Sequence, residues 1–195
     1  MATSRSTVLK GLTASAATAF LRADAIAGQD PAIQVVGRPV VLTVTAAGPR
    51  IVRISLVPIA AGRPQPIPSD GSLVEREWGE PSASLTTLAR PRSFTCGGAS
   101  VTVSAAPLTI RVDDADGRLV QQIRLDGQTG SFAFHLGDGP VLGLGEGGPQ
   151  FDRRGAVDRM RSGQGGYRLS THGGRVPVPW LIGTARDYWC QFFFR

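Results

Sequence analysis

The sequence predicts an all-β protein built as an antiparallel β-sandwich. Three observations lead there. The 195 residues include 25 glycines and 14 prolines, one residue in five, and chain breakers at that density separate many short elements. Past residue 28 the apolar positions follow the two-residue period of strands, and no segment shows a convincing 3.6-residue period. Turn signals recur every ~8–12 residues, the spacing of sandwiches and barrels.

The elements follow in order. Val40–Thr45 is β-branched and bounded by Pro39 and by Gly48-Pro49, which marks a strand. Ile51–Val57 follows, with Arg53 and Ser55 alternating with Ile54 and Leu56. The two runs and the short turn between them read as a hairpin. Residues 58–92, rich in Pro, Ser and Gly, read as a long surface connection with room for one short strand at Leu73–Trp78. The strand rhythm returns from Phe94. Val101–Ser104 and Leu108–Val112 alternate, and Asp116-Gly117 turns tightly into Leu119–Leu125, the clearest hairpin in the chain. Ser131–Leu136 carries Phe132 and Phe134, and Gly137-Asp138-Gly139 turns into Val141–Leu144.

Composition narrows the function classes. Hydrophobic residues at 42% and charged residues at 18% describe a globular chain, long enough for one domain with a real core. The net charge is +6, and of the 21 basic residues all but Lys10 are arginine. Codon bias accounts for such a skew. From Arg153 to Arg175 the only acid is Asp158, against Arg153, Arg154, Arg159, Arg161, Arg168 and Arg175. The basic residues are not interleaved with aromatics and match no module pattern, so nucleic acid is not an expected partner.

Residues 1–27 read as an export signal. Arg5 and Lys10 give a basic start, Leu12–Leu21 is a short Ala-rich apolar run, and Ala25-Ile26-Ala27 offers a small-residue cleavage site before Gly28. Ser4–Gly11 resembles a twin-arginine signal in which Ser6 replaces the second arginine. The expected location is secreted or periplasmic. The apolar run is too short to span a bilayer and no later segment qualifies, so no membrane span is expected. Cys96 and Cys190 are the two cysteines. No spacing rule pairs them, and two isolated buried thiols are the expectation.

Several catalytic constellations are missing. His135 and His172, the two histidines, show no metal-ligand spacing. His135 in an alternating strand reads as partly buried. There is no Gly-x-Ser-x-Gly elbow. Gly163–Gly166 lacks the lysine and hydroxyl of a phosphate loop. Asp113–Gly117 superficially resembles a calcium loop without its later glutamate, and a hairpin turn explains it. No cofactor and no metal are expected.

The informative stretch is Pro140–Glu146, reading Pro-Val-Leu-Gly-Leu-Gly-Glu, followed by Phe151-Asp152-Arg153-Arg154-Gly155. The glycines at 143 and 145 permit unusual backbone conformations or close approach. Glu146 beside Arg153 and Arg154 could form a bidentate ion pair that holds a loop. The structural role, a turn with salt bridges, is the favoured reading of these residues. The segment resembles the Gly-Leu-Gly-Glu and Leu-Asp-Arg-Arg-Gly region near the end of the N-terminal domain of family 31 glycoside hydrolases, the α-glucosidases, α-xylosidases and related transglycosidases. Tyr167-Arg168-Leu169 and Val176–Gly183 resemble the strands that follow there. The resemblance spans roughly residues 35–184, in motif from 140 onward and in topology before that.

The resemblance implies a galactose-mutarotase-like β-sandwich over residues 28–184, serving as the carbohydrate-binding scaffold of an α-glucosidase-type hydrolase. It implies an acidic side chain lent by a loop to the sugar site, for which Asp158 is the candidate, with Arg159 and Arg161 beside it; a solvated loop acid is the alternative for Asp158. Gly143, Gly145, Glu146, Asp152, Arg153 and Arg154 form the structural motif. Retaining glycosidases need two carboxylates ~5–5.5 Å apart. In the family these come from a (β/α)8 barrel of ~250 residues, for which no sequence is present, and no Trp-x-Asp-Met-type nucleophile strand occurs. The chain is therefore expected to be inactive alone, its partners being the missing barrel and, in the parent enzyme, an α-glycoside. Residues 185–195 read as an aberrant tail after a frameshift or premature stop, or as a natural short strand. A stand-alone secreted carbohydrate-binding or interaction module is the competing expectation.

Overall fold

Two long strands carry the first sheet. Residues Arg38–Gly48 form β2 and Ile51–Ala60 form β3, paired antiparallel from Val40↔Pro58 to Gly48↔Ile51 around the Pro49-Arg50 turn. A bulge falls between Ala46 and Gly48. The short strand β1 (Gln34–Val35) lies on β2, β4 (Arg63–Pro64) lies on β3, and β5 (Ala83–Leu85) also pairs with β2. These coordinates are a computed structural model that describes residues 30–65, 68, 77–147, 151–158, 176–184 and 189–193.

The second sheet is a meander. It runs β10-β9-β8-β7-β6, with β6 at Arg92–Cys96, β7 at Ala99–Ser104, β8 at Leu108–Asp113, β9 at Leu119–Leu125 and β10 at Phe132–Phe134. Its alternation is strict where the sequence alternates. Val101 pairs with Val112 and Val103 with Ile110, and all four are buried, because facing residues of an antiparallel pair share one side of the sheet. The inward row meets Val40, Leu42 and Val44 of β2, together with Leu85, Leu88 and Cys96, in one hydrophobic cluster. Leu42, Val44, Val101 and Val103 are fully buried. Two five-stranded antiparallel sheets that close on one core make a sandwich.

A third, three-stranded sheet follows: β11 (Val141–Gly143), β12 (Trp180–Thr184) and β13 (Trp189–Phe193). There is no helix among the described residues, and none of them belongs to a (β/α)8 barrel; no helix there is long and apolar enough to cross a membrane.

The all-β antiparallel fold matches the sequence expectation, with three local differences. Residues 58–92 are more than a connection: β3 continues to Ala60, and β4 and β5 fall within them. Leu85 and Leu88 are core residues, at 5% and 2% exposure. Trp78 lies outside any strand, under the Arg53 guanidinium at 4.9 Å, while residues 73–76 lie outside the described residues. His135 sits just past β10 and is exposed, because the strand ends at Phe134. The 185–195 stretch contains β13, paired in register with β12.

Candidate functional site

The motif residues converge on the third sheet, and the backbone explains how. Gly143, Leu144 and Gly145 have consecutive positive φ angles of 104°, 62° and 81°. A Cβ on Gly143 would fall on the Trp180 carbonyl oxygen, and one on Gly145 on the Val176 carbonyl oxygen. Glycine is therefore required twice, once for the angle and once for the close approach. The left-handed run swings the chain off β11 so that Leu144 N–H donates to Trp180 O (2.6 Å). Glu146 and Val176 then exchange backbone bonds of 3.0 and 3.1 Å.

The Asp152-Arg153-Arg154 segment folds back along the outer edge of β11. Asp152 Oδ1 accepts from Val141 N–H (2.9 Å) and Arg154 N–H (3.0 Å), and Arg153 N–H donates to Val141 O (2.7 Å). The Arg153 guanidinium bridges two carbonyls, Nε to Gly143 O and Nη2 to Gly145 O, both at 3.1 Å. Arg154 Nη2 donates to Gly137 O (2.9 Å) and Gly139 O, pinning the turn that enters β11. Both arginines thus grip backbone carbonyls of the motif and its entry turn, acceptors that a sequence reading centred on the Glu146 carboxylate does not reveal. A planar guanidinium offers donors at fixed spacing, and two carbonyls displaced by a left-handed turn present acceptors at that spacing. Backbone donors to its carboxylate hold the Asp152 carboxyl below the ordinary Asp range. Arg153 Nη1 is buried without a hydrogen-bond partner.

Of the candidate sugar-contacting residues, Asp158 is half-buried at the end of this segment. Arg159 and Arg161 lie outside the described residues, as do Tyr167, Arg168 and Leu169. Residues 1–27 lie outside them too. Cys96 is a free, buried thiol. Asp114 Oδ1 accepts from Asp116 N–H (2.9 Å) and Arg118 N–H (2.8 Å), which makes Asp113–Gly117 a hairpin turn. No cluster of metal-ligating residues occurs among the described residues.

Two features escaped the sequence reading. Gln121 is buried at 5% exposure and clasps the His135 backbone, Nε2 donating to its carbonyl (3.1 Å) and Oε1 accepting from its N–H (2.8 Å). Its signal was a polar residue on the inward row of β9, opposite buried Val112. The second is an open groove of about 700 Å³ at one end of the sandwich, lined by Ile33, Leu88, Pro107, Arg124, Asp126 and Phe132 among others. Its walls come from segments distant in sequence, so no local pattern announces it.

Fold and motif together define an antiparallel β-sandwich protein with an arginine-stapled third sheet. No family model, curated protein or solved structure matches the chain.

Proposed function

We propose that the chain is the N-terminal scaffold domain of a family 31-type glycoside hydrolase, exported from the cytoplasm and inactive by itself. One observation carries this reading: three segments that bear the resemblance, 140–146, 151–155 and 176–183, are joined by direct hydrogen bonds into one unit. In this reading the arginine staple fixes the start of the loop that carries Asp158, Arg159 and Arg161 toward a sugar bound by a barrel. Such a scaffold positions one acid and supplies neither of the two carboxylates that retaining hydrolysis needs.

The test is direct. Purified chain should release no more nitrophenol from an aryl α-glucoside than a heat-killed control, and mass spectrometry of protein from the export compartment should find Gly28 at the N-terminus. Turnover above the control, or an uncleaved exported chain, sinks the respective half of the proposal.

The groove favours a second reading, a carbohydrate-binding module. It combines an aromatic face at Phe132 with polar groups at Arg124 and Asp126, the mixture that sugar rings require. Calorimetric titration with a malto-oligosaccharide separates the two readings. Saturable binding abolished by Phe132→Ala favours the module, and absence of heat favours the scaffold.

A further inference from the structure

The groove has two walls, and one turn ties them together. Residues 31–34 line one side, and residues 125–127 with 131–133 line the other. The first wall runs into the β1–β2 hairpin, and the second belongs to the β9–β10 hairpin. Val36, at the tip of the first, donates its N–H to Gly127 O of the second at 2.7 Å. Its side chain lies over Gly130, where a Cβ would fall 2.7 Å from Val36 Cγ2. Gly127 is placed as closely, since a Cβ on it would meet Gln34 O at 3.0 Å.

The tip residue departs from what its turn prefers. Val35 pairs with Arg38, so the loop holds two residues, Val36 and Gly37, with φ of 51° and 67°. Two-residue loops with both angles positive favour Asn-Gly or Asp-Gly. A β-branched side chain in the left-handed region is a strained outlier. Burial does not explain the choice, because Val36 is 55% exposed. The turn from β3 to β4, Ala61-Gly62, has similar angles of 50° and 74° with no β-branched residue, and it lies outside the groove lining. Strain of this kind collects at ligand clamps and switch regions, and departures from local sequence rules fall at functional places.

We infer that the Val36 turn is a strained latch that sets how firmly the two walls of the groove are held together. Strain offsets part of the bond to Gly127 O, so the wall of residues 31–34 parts from the β9–β10 hairpin more often than a relaxed turn would allow. A ligand that touches both walls favours the latched state, and latching favours that ligand by the same factor. Val36 is a positioning residue: it lies outside the groove lining and acts through Gln34 and Gly127. The effect on a ligand rests on the carbohydrate-binding reading of the groove; the latch itself does not.

Native-state hydrogen exchange and calorimetry on the full chain test both. The amide of residue 36 is the reporter, and Val40 N–H, bonded to Ile33 O in the same hairpin, is the reference. Val36→Asn and Val36→Gly relieve the left-handed angle, and each should slow exchange at residue 36 roughly tenfold after correction for intrinsic rates. Val40 should not change, and Ala61→Asn should leave both amides as they are. Gly130→Ala sets a methyl against Val36 Cγ2. It should speed exchange at Val36 and weaken binding of a malto-oligosaccharide about tenfold. The Val36→Gly/Gly130→Ala pair should recover both, because no side chain is left to meet the methyl. Exchange at residue 36 unchanged in Val36→Asn and Val36→Gly, or no recovery in the double variant, overturns the latch. Equal sugar binding by the parent and Gly130→Ala overturns the coupling and leaves the carbohydrate reading standing. Sugar bound by neither refutes that reading together with the coupling, and the exchange data alone then decide the latch.

Discussion

Replacing Arg153 by alanine removes both bonds that hold the Gly143 and Gly145 carbonyls. Hydrogen bonds to a charged donor contribute roughly 1.5–3 kcal/mol each. Arg153 is half-buried, which favours the lower end, so the pair contributes about 3 kcal/mol. That corresponds to about a hundredfold change in the opening equilibrium of the third sheet. Leu144 N–H, bonded to Trp180 O at the centre of the stapled turn, is the reporter. Its native-state hydrogen exchange should accelerate on the order of a hundredfold, while that of Val103 in the sandwich core is unchanged. Arg153→Lys keeps the charge and reaches one carbonyl at a time, so it should recover no more than half of the loss. Exchange at Leu144 within about twofold of the parent in Arg153→Ala, or full recovery in Arg153→Lys, refutes the idea that a two-carbonyl fork holds the turn.

The other predictions are shorter. Gly145→Ala should destabilise the third sheet by more than the ~1–2 kcal/mol of its left-handed angle, because its Cβ meets the Val176 carbonyl. Gly155→Ala, at φ 71° with open space around it, should cost only the angular penalty, and chemical denaturation compares the two. Asp152 and Asp126 both titrate below the ordinary Asp range, because backbone N–H groups of Val141 and Arg154, and of Gln128 and Thr129, stabilise their charged forms. Their contribution is complete above the unfolded value near 3.8 and is lost as pH falls through the lowered folded values. The acid-unfolding curve of Asp152→Asn should therefore be shallower than that of the parent. Gln121→Leu should cost about 1–2 kcal/mol by freeing the His135 carbonyl, and urea titration measures it. Leu42→Ala, from a fully buried site, should cost about 2–5 kcal/mol in the same measurement.

The sandwich was legible wherever one side of a strand is wet. Val101–Ser104 and Leu108–Val112 alternate because each faces core on one side and the wetter face on the other. The Asp116-Gly117 turn was legible because Asp114 supplies the acceptor its N–H groups need. β5 was not, because three residues, Ala-Ser-Leu, carry too little periodicity, and Leu88 is buried from a loop. The glycines at 143 and 145 were flagged from the sequence, but the acceptors of Arg153 were not. Carbonyl oxygens leave no mark in a residue string, whereas a nearby glutamate does, and Glu146 drew the expectation of an ion pair. Asp158 was singled out by resemblance, which places it at the end of the stapled segment and says nothing of its chemistry.

Among the described residues, Val141 and Leu181 of the third sheet are buried and stand outside the cluster that unites the two larger sheets. Cooperative melting rests on shared burial, so the third sheet should open separately from the sandwich. Trp78, stacked against Arg53 of β3, reports on one, and Trp180 of β12 reports on the other. A single fluorescence curve averages the two, and a midpoint taken from it belongs to neither. Single-tryptophan variants would resolve them, with the Trp180 transition the one that moves with each change to the arginine staple.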